Sequence, residues 1–300
     1  MRYFGGHEAR ASVCVAAVVC VLSSAAFLLT VQWIQGLQAT EFYTYRWYFA
    51  VLTGFVAGLC ACMTPDWQCA VVTLVHYLIF VLLTMHSAAC ISTTGVTCDL
   101  AVSKRQIFLG GVVVILTFRC SFAGDGVGAF VAFLLDVLGL VYIIGPLSVL
   151  VAFVDDNHRS LYRKLLIALL YVVWASDSGA YLVGKTLAHF HYKCYHTLAP
   201  HLSENKDYEG TIGAIVFGVV AMAAASEMLN LPGSIGTKVG CSVLAVLFGR
   251  LGDLFESLLK RAAGVKDSGS LIPGHGGVLD RIDSLMFATI VFSRYYALHS

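Results

Sequence analysis

Residues 127–154 read VGAFVAFLLDVLGLVYIIGPLSVLVAFV, and the one Asp, Glu, Lys or Arg among them is Asp136. A helix needs about 20 mainly apolar residues to cross the hydrocarbon of a bilayer. This run is longer than that. It predicts either one broken spanning helix or two, with Gly139, Gly145 and Pro146 as the points of weakness. Working outward, similar runs cover 13–34, 46–64, 69–91, 107–122, 165–184, 211–230, 236–259 and 285–298, the last of them short and mixed. The expected fold is all-α: a polytopic transmembrane helical bundle of eight to ten spans.

Composition agrees. The chain has 300 residues, 58% of them hydrophobic and 12% charged, with a mean hydropathy of +0.80. A water-soluble domain carries about 25% charged residues. A transmembrane β-barrel would alternate apolar and polar positions, whereas these runs are continuous. The net charge of +1 gives no case for nucleic acid. The ten cysteines are scattered without a CxxC spacing and read as small buried hydrophobes, not as disulfides or thiolate metal sites. The N-terminal MRYFGGHEARASVCVAAVVCVLSSAAF reads as a retained first helix in preference to a cleaved signal, because so many spans follow it.

Two polar loops, 185–210 and 260–284, are separated by two spans and so face one side. Lys260, Arg261, Lys266 and Arg281 assign that side to the cytoplasm, and Arg2 and Arg10 place the N-terminus there too. The parity holds if 127–154 is a single span. It then puts Arg159, Arg163 and Lys164 of the 155–164 loop outside, against the same rule.

Charge is concentrated late in the chain. Asp253, Ser257 and Lys260 follow i, i+4, i+7 spacing and share a helix face, with Glu256 beside them. Snorkelling accounts for Lys260 and Arg261, but not for Asp253 and Glu256 a turn deeper, where charge is costly without a partner. The loop that follows, GVKDSGSLIPGHGGVLDRID, mixes glycines with Lys266, Asp267, Asp280, Arg281 and Asp283. Backbone N–H groups in such a loop can cradle phosphate. Mg²⁺ is commonly held by one or two carboxylates plus substrate phosphates. The inventory therefore suggests phosphoryl or nucleotidyl chemistry at a membrane surface. Asp177 and Lys185, about two turns apart in YVVWASDSGAYLVGKTL, form a second polar element on one helix face.

The stretch SLLKRAAGVKDSGSLIPGHGGVLDRID closely resembles the motif of the phosphatidate cytidylyltransferase (CDP-diacylglycerol synthase) family. Ser257, Lys260, Arg261, Lys266, Asp267, His275, Gly276, Gly277, Asp280, Arg281 and Asp283 each occupy a motif place. The preceding GDLFESLLKR and WASDSGAYLVGK also look like the family, so the resemblance covers roughly 170–284. It implies a reaction of CTP with phosphatidate giving CDP-diacylglycerol and pyrophosphate, dependent on Mg²⁺. It implies a metal centre near Asp253 and Asp280, with room for a second metal ion. Lys206, Lys260, Arg261, Lys266 and Arg281 become candidates for phosphate contacts. His275 either binds phosphate or orders the glycine turn. Asp267 and Asp283 are either further ligands or groups behind the ligands. The resemblance makes 165–300 a C-terminal catalytic region and 1–164 a set of N-terminal helices in one integral-membrane unit. It allows a homodimer, and membrane lipid is the expected surrounding. One segment departs: where the family has Ser-Pro-Lys-Lys-Thr-x-Glu-Gly, residues 203–210 read SENKDYEG. That change bears on nucleotide affinity and on the choice of CTP over dCTP.

Two other functions compete: a CTP-dependent lipid kinase, and a transporter using the intramembrane charges. The full Lys-Asp, His-Gly-Gly, Asp-Arg-x-Asp run argues against the first. The absence of paired inverted repeats argues against the second. The cluster His189, His191, Cys194 and His196 reads as an interfacial loop in preference to a transition-metal site.

Overall fold

The computed structural model describes residues 8–38, 41–64, 66–91, 102–122, 124–152, 159–190, 196–200, 202–269 and 277–299. Its contacts fall into two compact units, Met1–Asn157 and His158–Ser300. Both are helical, and among the described residues seven helical stretches are long and apolar enough to cross a membrane. The protein is an all-α, multi-pass membrane protein.

The first unit contains α1 (Glu8–Trp33), the short α2 (Gln35–Gln38), α3 (Glu41–Met63), α4 (Trp67–Ile91), α5 (Lys104–Phe122), α6 (Gly126–Gly139) and α7 (Gly145–Ala152). Its core joins Phe27 and Val31 of α1, Leu37, Ala50 of α3, and Val81 and Met85 of α4. Phe27, Phe42 and Phe49 pack ring on ring around it. Gly58 lets α3 approach α1 closely, because a Cβ there would lie 2.8 Å from the Ala16 carbonyl.

The opening run proves to be one span, Gly126–Val151. Asp125 starts it as N-cap, accepting from Gly128 N at 2.8 Å. A π-helical turn, Leu140–Ile144, joins α6 to α7 without ending the helix. Pro146 has no N–H for the carbonyl four residues back, and its ring crowds that carbonyl. Widening the preceding turn relieves the clash, as π-bulges do. Asp136, the one charged residue of the run, is paired. Arg119 Nε donates to its Oδ2 at 2.7 Å and Nη2 to its Oδ1 at 3.2 Å. Gln68 accepts from the same guanidinium at 3.0 Å. His76 Nε2 lies 3.0 Å from the Asp136 carbonyl, a structural role consistent with its place inside a span.

The second unit contains α8 (Arg159–His189), a hairpin of β1 (Thr197–Ala199) and β2 (Ser203–Asp207), α9 (Tyr208–Leu229), α10 (Ile235–Ala262) and α11 (Leu279–His299). Helix α8 packs on α9, α9 on α10, α10 on α11, and α11 back on α8. The α8–α9 crossing is close because glycines face each other: a Cβ on Gly179 would sit 2.8 Å from the Gly213 carbonyl, and one on Gly213 3.0 Å from that of Gly179. Helices α10 and α11 match the expected spans 236–259 and 285–298 in place. They are not among the seven stretches that qualify by composition, since α10 alone carries Lys238, Arg250, Asp253, Glu256, Lys260 and Arg261. The small hairpin inside the 185–210 loop is an element that hydrophobic periodicity did not announce. Of the seven described cysteines, all free, only Cys241 is buried in protein. Cys14, Cys60 and Cys120 lie on exposed helix faces, of the kind that lipid covers in a span. The expectation of protein-buried cysteines is corrected to that extent.

Candidate active site

Thirteen charged residues of the second unit line one cavity of about 850 Å³, within the range of small-molecule sites. The spacing of α10 builds one wall. Arg250, Asp253, Ser257 and Lys260 recur every three or four residues, Arg261 follows Lys260 directly, and all five line the cavity. Helix α11 supplies the opposite wall with Asp280, Arg281 and Asp283, and α8 contributes Asp177 and Lys185.

At the centre, carboxylate oxygens of Asp253, Glu256 and Asp283 lie within 4.8 Å of one another. Asp283 and Glu256 are buried, and Asp253 is partly exposed. Burial, reinforced by the Asp253 charge, raises the pKa of Asp283 well above the usual carboxylate range. Lys206, the penultimate residue of β2, reaches into this group. Its Nζ lies 2.6 Å from Asp253 Oδ1 and donates to the Asp253 carbonyl at 2.7 Å and Ser257 Oγ at 2.9 Å. Burial lowers the Lys206 pKa, against the pull of Asp253.

A second ion pair stands beside the first. Lys260 Nζ bridges Glu256 Oε2 at 2.8 Å and Asp280 Oδ1 at 2.6 Å. The other oxygen of Asp280 accepts from Gly277 N at 2.7 Å and from Ser268 N and Oγ at 2.9 and 2.8 Å. Burial alone would raise the Asp280 pKa, but Lys260 and these donors hold it far below the ordinary range. Asp280 thus pins both ends of the glycine-rich loop to the start of α11.

The remaining sequence candidates take clear positions. Arg261 Nε donates to the Leu202 carbonyl at 3.2 Å and so ties α10 to the hairpin. Lys266, Asp267 and Arg281 are exposed along the cavity. Lys185 lies over the Tyr181 ring, 5.3 Å from its centroid. Gly277 contributes its N–H to Asp280, whereas His275 and Gly276 fall outside the described residues. In the histidine cluster, His191 and Cys194 also lie outside them, and His196 Nδ1 meets Glu209 at 2.8 Å.

The sequence model of the cytidylyltransferase family matches residues 7–299. The chain belongs to the cytidylyltransferase family. A phosphatidate cytidylyltransferase of Staphylococcus aureus (strain COL) is 43% identical over 133 residues, 44% of this chain and 46% of that protein. One of Haemophilus influenzae is 41% identical over 148 residues, 48% and 49% of the two chains. One of Bacillus subtilis (strain 168) is 36% identical over 191 residues, 62% and 65%. The chain thus spans about half the length of the first two relatives and 65% of the third.

Family membership sharpens the departure at 203–210. Asp207, where the family pattern carries Thr, is buried and caps α9: its Oδ1 accepts from Gly210 N, and its carbonyl accepts from Thr211 Oγ1 at 2.8 Å. Asp and Thr both serve as N-caps, so this exchange preserves a structural role. Lys206 is the family lysine that holds its place, and it reaches the carboxylates.

Sequence reasoning set the metal at Asp253 and Asp280. The structure brings Glu256 and Asp283 up to Asp253, with Asp280 one lysine away. Glu256 stood outside the candidate ligands although its i+3 offset from Asp253 was the available signal. Its Oε1 is buried without a hydrogen-bond partner among the described residues. Three hard oxygen donors, one of them orphaned, fit a divalent cation such as Mg²⁺.

Proposed function

We propose that the chain is a phosphatidate cytidylyltransferase of the cytoplasmic membrane face, converting CTP and phosphatidate into CDP-diacylglycerol and pyrophosphate. The observation that carries this reading is the carboxylate group Asp253, Glu256 and Asp283, flanked by Lys206 and Lys260, at the wall of one cavity that all of these but Glu256 line, in a membrane-protein member of the family. A phosphate oxygen of phosphatidate attacks the α-phosphorus of CTP. The bond from that phosphorus to the bridging oxygen breaks, and pyrophosphate leaves with its electrons. No side-chain nucleophile is needed. Lys206, Lys260, Arg261, Lys266 and Arg281 bind and align the polyphosphate, so that in-line displacement proceeds against fixed countercharge. Mg²⁺ held by Asp253, Glu256 and Asp283 would supply Lewis-acid neutralisation of the charge that develops on oxygen. Asp280 becomes available as a further donor when phosphate draws Lys260 away, which keeps room for a second metal ion. Membrane lipid surrounds the unit and delivers phosphatidate. We expect a homodimer on family grounds alone.

The test uses purified protein in detergent with phosphatidate, Mg²⁺ and CTP labelled in the cytidine. Label moving into a lipid product, lost with EDTA and in Asp283→Asn, supports the reading. Label released as CDP beside a newly phosphorylated lipid would establish the kinase reaction instead. No turnover of CTP by folded protein would overturn both.

A further inference from the structure

Arg250 lines the cavity, yet neither the motif nor the lysine network employs it. It lies one helical turn deeper in α10 than Asp253. Ten residues separate it from Lys260, about 15 Å at the rise of an α-helix. Its side chain is 14% exposed, and its only ion-pair contact among the described residues is a loose one, Nη1 at 4.0 Å from Asp253 Oδ2. Its Nε is buried with no hydrogen-bond partner among them. The Asp253 oxygen nearest a cation is already taken by Lys206 at 2.6 Å. A guanidinium near the middle of a 28-residue helix, with a donor unsatisfied, is costly unless a ligand completes it.

We propose that Arg250 is a specificity-determining substrate contact, receiving the phosphate monoester of the lipid substrate. This rests on the cytidylyltransferase reading above. The chemistry fits because a guanidinium presents a planar fork of donors matched to phosphate oxygens. The placement separates lipid from nucleotide. Lys260, Arg261, Lys266 and Arg281 gather at the loop end of the cavity, where a soluble polyphosphate enters. Arg250 stands at the opposite end, beside a small cleft lined by Val172, Val173, Ala245 and Val246 together with Ser176, Asp177 and Ser284. That end offers one cation, which matches a single phosphate monoester, whereas the loop end offers four, which match a polyphosphate. The order along α10 is therefore Arg250, the carboxylate group, then Lys260, with the two phosphate-bearing reactants meeting at the carboxylates between them.

The experiment compares wild type, Arg250→Lys and Arg250→Gln in mixed micelles, varying the mole fraction of phosphatidate and the concentration of labelled CTP separately. Direct binding of phosphatidate without CTP is followed in parallel by native mass spectrometry. Arg250→Gln is expected to raise KM for phosphatidate at least about 10-fold, equivalent to ~1.4 kcal/mol, with KM for CTP unchanged within twofold. Arg250→Lys, which keeps charge but loses the fork, falls between. Unchanged lipid KM and lipid binding, or an equal rise in both KM values, overturns the assignment. If Arg250→Gln does not fold, the KM ratio of Arg250→Lys decides. If wild type binds phosphatidate but transfers no label, the cytidylyltransferase reading fails, while loss of that binding in the variants still supports the Arg250 contact.

Discussion

Substituting Gly252 by Ala tests whether the α10–α11 approach sets the spacing of the carboxylate group. A Cβ at Gly252 would lie 2.6 Å from the Asp283 carbonyl oxygen and 2.8 Å from Phe287 Cδ2. The phenyl ring can swing aside. The carbonyl cannot, because it belongs to the first turn and a half of α11. A carbon–oxygen contact needs at least about 3.3 Å, so the helices must part by roughly 0.7 Å at that level. Gly252 adjoins Asp253, and the obstructing carbonyl is that of Asp283, so the displacement falls on two members of a group gathered within 4.8 Å. A misplacement of about 1 Å can cost ~100-fold in rate, and 0.7 Å scales to roughly 10–30-fold in kcat. The overpacking itself costs about 1–3 kcal/mol of stability. Gly240→Ala in the same helix is the control, since a Cβ there meets nothing within 4 Å; it should keep activity and gain up to ~1 kcal/mol in helix propensity. The assay is label transfer at saturating substrates beside thermal unfolding in detergent. Folded Gly252→Ala with wild-type kcat, or an equal loss in Gly240→Ala, would refute the spacing argument.

The other predictions concern single contacts. Lys206→Met should lower kcat/KM by about 100-fold or more, the scale of losing one preorganised donor, with Lys206→Arg recovering part of it in the same label assay. Glu256→Gln should raise the Mg²⁺ concentration for half-activation about 10-fold, within the range seen when groups supporting a metal site are altered; Mn²⁺ binding to substrate-free protein, followed by electron paramagnetic resonance, should weaken in step. Asp207→Thr should leave the melting temperature nearly unchanged, whereas Asp207→Ala should cost about 1 kcal/mol through loss of the α9 cap. Arg119→Met should destabilise the first unit by about 3–5 kcal/mol by stranding Asp136, and Arg119→Met with Asp136→Leu should restore most of it; thermal unfolding in detergent measures both.

The helices were legible because a bilayer imposes a length and a polarity on each span, and 127–154 or 69–91 can be little else. The number of spans was less legible because composition cannot see a π turn: Pro146 looks like a break until the widened turn at Leu140–Ile144 absorbs it. Asp253 was visible as a charge too deep to be an ordinary helix end, and Lys206, Lys260 and Asp280 were visible through a motif of fixed spacing. The approach of Asp283 to Asp253 and Glu256 was not. It depends on the crossing of α10 and α11, and that crossing is set by Gly252, a residue with no chemical signature of its own. The hairpin that delivers Lys206 was hidden for a similar reason. Its strands are three and five residues long, and they are held by polar contacts of His196, Glu209 and Arg261 in place of hydrophobic alternation.

The ion pairs also explain why so apolar a chain carries both signs of charge at one place. Lys206 is held by Asp253, and Lys260 by Glu256 and Asp280. A polyphosphate that took the two lysines by itself would leave three carboxylates crowded and unpaired in a partly buried cavity. A cation that took the carboxylates by itself would leave two ammonium groups in the same position. Each arrival alone exchanges one set of partners for an uncompensated set, and that is costly at low local dielectric. Arrival of both satisfies every group. In the proposed reaction, nucleotide and divalent cation must therefore each strengthen binding of the other, and by linkage they do so by the same factor. The lysine–carboxylate pairs keep the charges neutral and soluble in the fold while the cavity waits, and they make its filling conditional on the complete set of ligands.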